Sequence, residues 1–276
     1  MISSEVKTEK VNKLFKKVSI ILISLYLLLI IGFYFFQEWV IFRPKKLTKD
    51  HVYIFNKEFE EINLPTKDNS IINALHFKVE DPKGVILYFH GNKGNLERWG
   101  QMVLPFTEYN YDIFIIDYRG YGKNSDKRIE SDMYKDAQLS YDYIKQVFSE
   151  DKITIYGRSL GCTFATKVAA DNHPKQLILE APFFNLTDLS RSKFRFIPYE
   201  HLLRFKFKSN EYINSVSCQT TIFHGNKDDL IPMSSGKNLY EVSNKENTDF
   251  VVINDGTHHN LMEFDLYKDK VKVLLD

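Results

Sequence analysis

The chain has 276 residues, with 37 Lys and Arg against 36 Asp and Glu and a formal net charge of +1. That length allows one large domain with an appendage, or two small domains, and so even a charge balance excludes a global field directed at nucleic acid. Two cysteines, Cys162 and Cys218, exclude a disulfide framework, while 16 Tyr and 22 Phe supply a large apolar core.

The first feature in chain order is an apolar run. From Val18 to Phe36 the sequence carries no charge. About 20 such residues span a bilayer as a helix, and a soluble helix of that length needs a polar face that this one lacks. A cleaved signal peptide fits less well, because Gln37-Glu38-Trp39-Val40 offers no small-residue cleavage site and the run outlasts a usual signal core. The expectation is an uncleaved single-pass anchor within residues 1–43 and a domain over 44–276. Lys7, Lys10, Lys13, Lys16 and Lys17 precede the span, and Arg43, Lys45, Lys46 and Lys49 follow it. That slight bias predicts a cytoplasmic N-terminus and a domain on the extracytoplasmic side of the membrane.

Beyond the anchor, β-type apolar runs at 59–64, 71–79, 85–89, 113–117, 153–156, 176–180, 220–224 and 250–253 alternate with helical patterns at 96–109, 129–148, 160–172, 234–242 and 261–275. The later strands read as continuous apolar runs, as strands covered on both faces do. The expected class is α/β, with a mostly parallel eight-stranded sheet flanked by helices. In such a sheet reactive groups gather on loops at the C-terminal strand ends.

The run at 85–89 ends in His90-Gly91-Asn92-Lys93-Gly94-Asn95. A Gly-rich turn there can present a main-chain N–H, assigned to Asn92, to a developing oxyanion. It lacks the closing Gly-Lys-Ser/Thr of a phosphate-binding P-loop. The run at 153–156 leads into Gly157-Arg158-Ser159-Leu160-Gly161 and then a helical pattern. A sharp strand-to-helix turn lifts a serine hydroxyl clear of the sheet, and its crowded backbone demands near-absent side chains two positions either side. Ser159 is therefore the candidate nucleophile, and the N–H of Leu160 the second oxyanion donor. Cys162 reads as a small buried helix residue.

Between 183 and 217 an insertion replaces a simple crossover. Its centre, from Phe194 to Lys208, mixes aromatic and basic residues. A short cap helix with a solvated basic face fits this composition, as does a surface leaning on anionic headgroups beside the anchor. The run at 220–224 ends near Asp228 and Asp229, either of which could orient an imidazole. The run at 250–253 ends near His258 and His259, one of which is the candidate base. Ser, Asp, His is the chain order this sheet topology uses. His90, His224, His258 and His259 could converge, but no cysteine or acidic spacing of a zinc type accompanies them, so no metal is expected.

Together these segments resemble the α/β-hydrolase superfamily, and within it the membrane-anchored Bem46-like branch that includes the ABHD13 and ABHD17 types. The resemblance rests on residues 88–95, 117–125, 156–161, 224–228 and 256–258, with the Phe42-Arg43-Pro44 step after the anchor. It implies that the acid is Asp228, which closes His-Gly-x-x-Asp. The base falls on His258, although the family's Asn or His pattern is broken by His259, which stays an alternative. The Asp117 to Ser125 loop is implied to shape the floor behind the nucleophile. The expected function is a serine esterase or thioesterase working through Ser159, His258 and Asp228, without a cofactor. Its partners would be the bilayer and an acyl ester or acylated protein. A serine peptidase with the same groups, or a catalytically silent anchored binding protein, are the alternatives.

Overall fold

Four strands without an exposed residue form the centre of the sheet: β4 (Gly84–Phe89), β6 (Tyr111–Ile116), β7 (Ile153–Arg158) and β8 (Gln176–Glu180). The computed structural model describes residues 2–124, 128–193 and 195–276, with side chains from residue 8 onward. Ser125 of the 117–125 loop, Phe194 at the start of the aromatic and basic stretch, and the Lys7 side chain lie outside the described residues.

The chain opens with α1 (Ile2–Ile41), then a short β1 (Arg43–Pro44) and the meander β2 (Phe59–Pro65) and β3 (Ile71–Phe77). After β4 come β5 (Lys93–Gly94), α2 (Leu96–Val103), β6, α3 (Glu130–Ile144), β7, α4 (Gly161–Asp171) and β8 (Gln176–Glu180). The cap carries α5 (Leu186–Lys193), α6 (Tyr199–Leu202) and α7 (Ser209–Tyr212). The chain closes with β9 (Gln219–Gly225), α8 (Met233–Glu241), β10 (Thr248–Ile253) and α9 (Asp265–Leu275).

Eight strands form one sheet in the order β10-β9-β8-β7-β4-β6-β3-β2. The run from β10 to β6 is parallel, and β3 and β2 add antiparallel at one edge. This is the α/β-hydrolase fold that the resemblance implied, and its mostly parallel sheet is the α/β arrangement expected from the alternation of patterns. Parallel strands buried on both faces need helices on both sides. One apolar layer joins α3, α4 and the cap around Phe164, Tyr141 and Phe207. The other joins α2 and α9 around Trp99, Tyr156 and Tyr267.

Local chemistry explains where elements depart from the expected bounds. The pattern at 96–109 divides into α2 and a 3-10 turn (Leu104–Tyr109), because Pro105 at that turn's start has no N–H for an α-helical bond. The short cap helix expected between 194 and 208 is α6, a single turn that follows Pro198, and α5 and α7 flank it in the insertion. β1 and β5 form a small parallel ribbon that the sequence pattern does not announce.

α1 is long and apolar enough between Thr8 and Ile41 to cross a membrane. Its end is fastened to the domain. Gln37 is fully buried, and the Phe42 ring packs edge-on against Phe205 at 4.9 Å between centroids.

Candidate active site

Ser159 follows directly on β7 and has a left-handed backbone with φ of 52°. That conformation is strained for a residue with a side chain and persists only when the surroundings enforce it. They do so by close approach. A Cβ on Gly161 would lie 1.9 Å from Phe89 O, and one on Gly157 would lie 2.6 Å from Cys162 Cα. Only glycine fits at either position. The turn is held further by Ser159 N–H donating to Glu180 O at 2.8 Å.

Loops after β9 and β10 bring two more groups to the same edge. His258 Nε2 stands 3.1 Å from Ser159 Oγ, and His258 Nδ1 stands 2.8 Å from Asp228 Oδ2. All three residues are buried, with 8%, 5% and 8% of their surfaces exposed for Ser159, His258 and Asp228. Asp228 Oδ1 also accepts from the N–H groups of Leu230 and Ile231 at 3.0 and 2.8 Å. Burial works to raise this carboxyl, but the bond to and charge of His258, with the Ile231 N–H, outweigh it and hold the carboxyl below its ordinary value.

Asp229 turns its main chain outward, its carbonyl accepting from Lys193 Nζ at 2.6 Å. His259 meets His258 edge-on at 5.2 Å, and among the described residues its side chain makes no hydrogen bond to Ser159 or Asp228. Burial, then the nearby His258 and Arg158, push its imidazole below the ordinary value.

Asn92 and Leu160 lie at the ends of β4 and β7. Among the described residues, neither main-chain N–H donates to another group of the protein. Asn92 is fixed from three sides: its carbonyl accepts from Arg43 N–H at 2.9 Å and from the Tyr121 hydroxyl at 2.7 Å, and its side-chain amide donates to Ile41 O at 3.0 Å.

The 117–124 stretch is occupied structurally. Arg119 forks onto Asp136 at 2.6 and 2.9 Å and onto Asp68 at 2.6 and 3.2 Å. Asp117 takes His90 Nε2 at 3.2 Å and the Leu96 N–H at 3.2 Å, and burial pushes its carboxyl up. His224 faces Ile231 O at 2.9 Å from a fully buried site. Among the described residues no group of three or more His, Cys, Asp or Glu could hold a metal ion. Burial raises the Cys162 thiol well above its ordinary value, which keeps it from competing as a nucleophile.

Sequence reasoning missed one network. Arg158, inside the serine turn, pairs its Nε with Glu180 Oε1 at 3.1 Å and donates from one terminal nitrogen to the carbonyls of His258 and His259, each at 3.3 Å. Glu180 Oε2 accepts from the Tyr156 hydroxyl at 2.6 Å, and Tyr156 in turn contacts the Tyr267 hydroxyl. A buried charge needs such partners. A long cation inside an otherwise apolar elbow was the available signal.

Comparison with known proteins places these residues in context. Residues 80–206 match the Hydrolase_4 family model, described as "Serine aminopeptidase, S33". The "Lysophosphatidylserine lipase ABHD12" of Danio rerio is 32% identical over 181 residues, covering 58% of this chain and 47% of that protein. Protein bem46 of Schizosaccharomyces pombe is 31% identical over 192 residues, covering 64% of this chain and 63% of its own. The chain thus spans about half the length of the first relative and under two thirds of the second. A mimivirus protein, "Uncharacterized protein R595" of Acanthamoeba polyphaga mimivirus, is 28% identical and covers 82% of this chain and 87% of its own. Among solved structures, the Pyrococcus furiosus esterase Pf2001 superposes with a TM-score of 0.66 at 18% identity, covering 85% of this chain and 97% of that one. Acetyl xylan esterase 1 from Thermoanaerobacterium gives 0.65 at 16% identity, covering 88% and 92%. At such identities these structures speak for the fold.

Proposed function

The chain belongs to the α/β-hydrolases, in the Bem46-like branch, as an esterase-type enzyme, and from that premise we propose that it cleaves an ester or thioester through an acyl-enzyme on Ser159. The observation that carries the proposal is the continuous hydrogen-bonded line from Asp228 through His258 to Ser159 Oγ, at 2.8 and 3.1 Å.

In the proposed cycle Oγ attacks the acyl carbonyl while His258 Nε2 takes its proton and Asp228 holds the ring and balances the imidazolium. The Asn92 and Leu160 N–H groups donate to the oxyanion, and His258 returns its proton to the leaving group. Water then attacks the acyl-enzyme with His258 as base. No step needs a cofactor.

A fluorophosphonate probe tests this directly. The wild type should label and Ser159→Ala should not; an unlabelled wild type would favour a silent binding protein of the same fold. The family description as an aminopeptidase supports a second reading, in which the same groups open an amide. Turnover of p-nitroanilides above that of p-nitrophenyl esters would favour it.

We also propose that residues 1–43 anchor the chain and that 44–276 form the hydrolase domain, with the cap at 183–217. The apolar helix and the relatives' name as lipases support lipid-like or acylated substrates at a membrane. The lysine and arginine balance around the helix favours the extracytoplasmic side for the domain. Protease accessibility of the domain in sealed membranes tests that placement.

A further inference from the structure

Tyr26, Phe33 and Gln37 are spaced seven and four residues apart, which puts them on one face of α1. All three meet the cap. The Tyr26 hydroxyl donates to Phe196 O at 2.7 Å, and the Phe33 ring meets Tyr199 edge-on at 5.3 Å. Gln37 donates to Leu202 O at 3.1 Å and accepts from Arg204 N–H at 2.8 Å. The cap segment from 196 to 204 therefore runs alongside the helix from Tyr26 to Gln37. From Tyr26 to Gln37 the helix rises about 16 Å, roughly half of the ~30 Å hydrocarbon core of a bilayer.

Glu38 is the first charge beyond the apolar run, so the Phe196 end of the cap points toward the bilayer interior and the Arg204 end toward its surface. We propose that the cap segment 195–204 is inserted in the bilayer beside the anchor, with the Phe196 side chain as its apolar wedge. This rests on the reading of α1 as a membrane anchor.

Chain inside a bilayer must satisfy its own polar groups. This segment largely does so. Besides the carbonyls of Phe196 and Leu202, bonded to α1, the Tyr199 N–H donates to Ile197 O at 2.9 Å, that of His201 to Pro198 O at 3.2 Å and that of Leu203 to Tyr199 O at 3.0 Å. Two of its three charges are paired: Arg204 with Glu38 at 2.9 Å, and Glu200 with Arg191. Arg195 has a long stem that can carry its head toward the headgroups. Phe196 itself is 87% exposed, an aromatic ring with no ring partner among the described residues. Water is a poor solvent for that ring, and the acyl layer next to α1 is a good one. Insertion would also bring lipid close to the site, because Lys193, at the end of α5, bonds the carbonyl of Asp229, next to Asp228, at 2.6 Å.

The test uses the full chain in phosphatidylcholine and phosphatidylglycerol vesicles. Single cysteines Phe196→Cys, Leu22→Cys and Lys245→Cys, in a Cys218→Ser background, carry an environment-sensitive fluorophore. Doxyl-labelled lipid should quench positions 22 and 196 and spare 245. Quenching at 22 with none at 196 overturns the cap insertion and leaves the anchor standing; a lack of quenching at 22 removes the anchor and the insertion together. In the same vesicles Phe196→Asp should slow a membrane-dissolved long-chain ester roughly tenfold or more, as expected for expelling one aromatic from the apolar layer, without slowing a short soluble ester. Phe196→Trp should restore the rate. Equal loss on both esters would mark a folding defect and overturn the assignment of Phe196.

Discussion

The side-chain amide of Asn92 donates to the main-chain carbonyl of Ile41 at 3.0 Å, joining the last turn of the long apolar helix to the loop beside Ser159. The ribbon of β1 with β5 extends that union, with Arg43 against Lys93 and Pro44 against Gly94. The exit from α1 and the proposed oxyanion loop are one hydrogen-bonded unit. The helix end thereby becomes part of the site's scaffold.

Removing that side chain should affect turnover more than folding. Asn92→Ala loses one bond, worth about 1 kcal/mol of stability, while freeing the loop that carries a proposed oxyanion donor. Steady-state kinetics with a soluble ester should show a fall in kcat with KM little changed. A KM effect alone would mean that the loop binds substrate and does not stabilise the oxyanion.

Phe42 should be the residue where the helix end becomes indispensable. It is 1% exposed and packed against Phe205, Phe207 and Tyr121, so Phe42→Ala should destabilise the domain by about 3–5 kcal/mol. Deleting residues 2–25, where the large apolar side chains from Val11 to Leu25 are exposed, should leave the domain's denaturation midpoint nearly unchanged. Urea unfolding of both variants in detergent checks the contrast.

The two histidines should separate cleanly. His258→Ala removes the group within 3.1 Å of Ser159 Oγ, and kcat should fall by about 10³-fold or more. His259→Ala, at the exposed flank, should stay within about threefold, since it removes no proton-transfer group. Near-normal turnover of His258→Ala would transfer the role of base to His259.

The buried Arg158 and Glu180 pair should behave as a coupled unit. Arg158→Met leaves Glu180 buried and unpaired and should destabilise the fold by about 3–5 kcal/mol, whereas adding Glu180→Gln should recover part of that loss. Turnover should not recover with it, because the bonds to the carbonyls of His258 and His259 stay absent. A double-mutant cycle measured in stability and in kcat distinguishes these effects.

Stability should weaken on mild acidification because of His224. Burial depresses its imidazole, so below the ordinary value of about 6.5 the unfolded chain binds protons that the folded chain resists. Stability is then full above that pH and declines as pH falls below it. Asp228, also depressed in the folded state, adds a further decline at lower pH, below about 4. Urea midpoints across this range should drop for the wild type, and His224→Gln should flatten the upper part of the profile.

The alternation of strand and helix, the apolar helix and the serine turn were legible because each is encoded in consecutive residues. Apolar period reports burial on one or two faces, and Gly157 and Gly161 report a crowded turn at Ser159. Element ends were less legible where Pro105 broke a longer pattern. Nothing local to His258 or His259 distinguishes one from the other; that assignment leaned on family likeness.

What the sequence by itself determined is therefore the class of fold, the apolar helix and the set of strand-end residues available for chemistry. Tertiary structure alone decided which histidine lies against Ser159, that Arg158 binds the two carbonyls beneath it, and that the helix end grips Asn92. Those contacts join residues 99, 101 and 51 positions apart. Their partners are chosen by packing of distant strands and loops, and no local pattern of polarity carries that information.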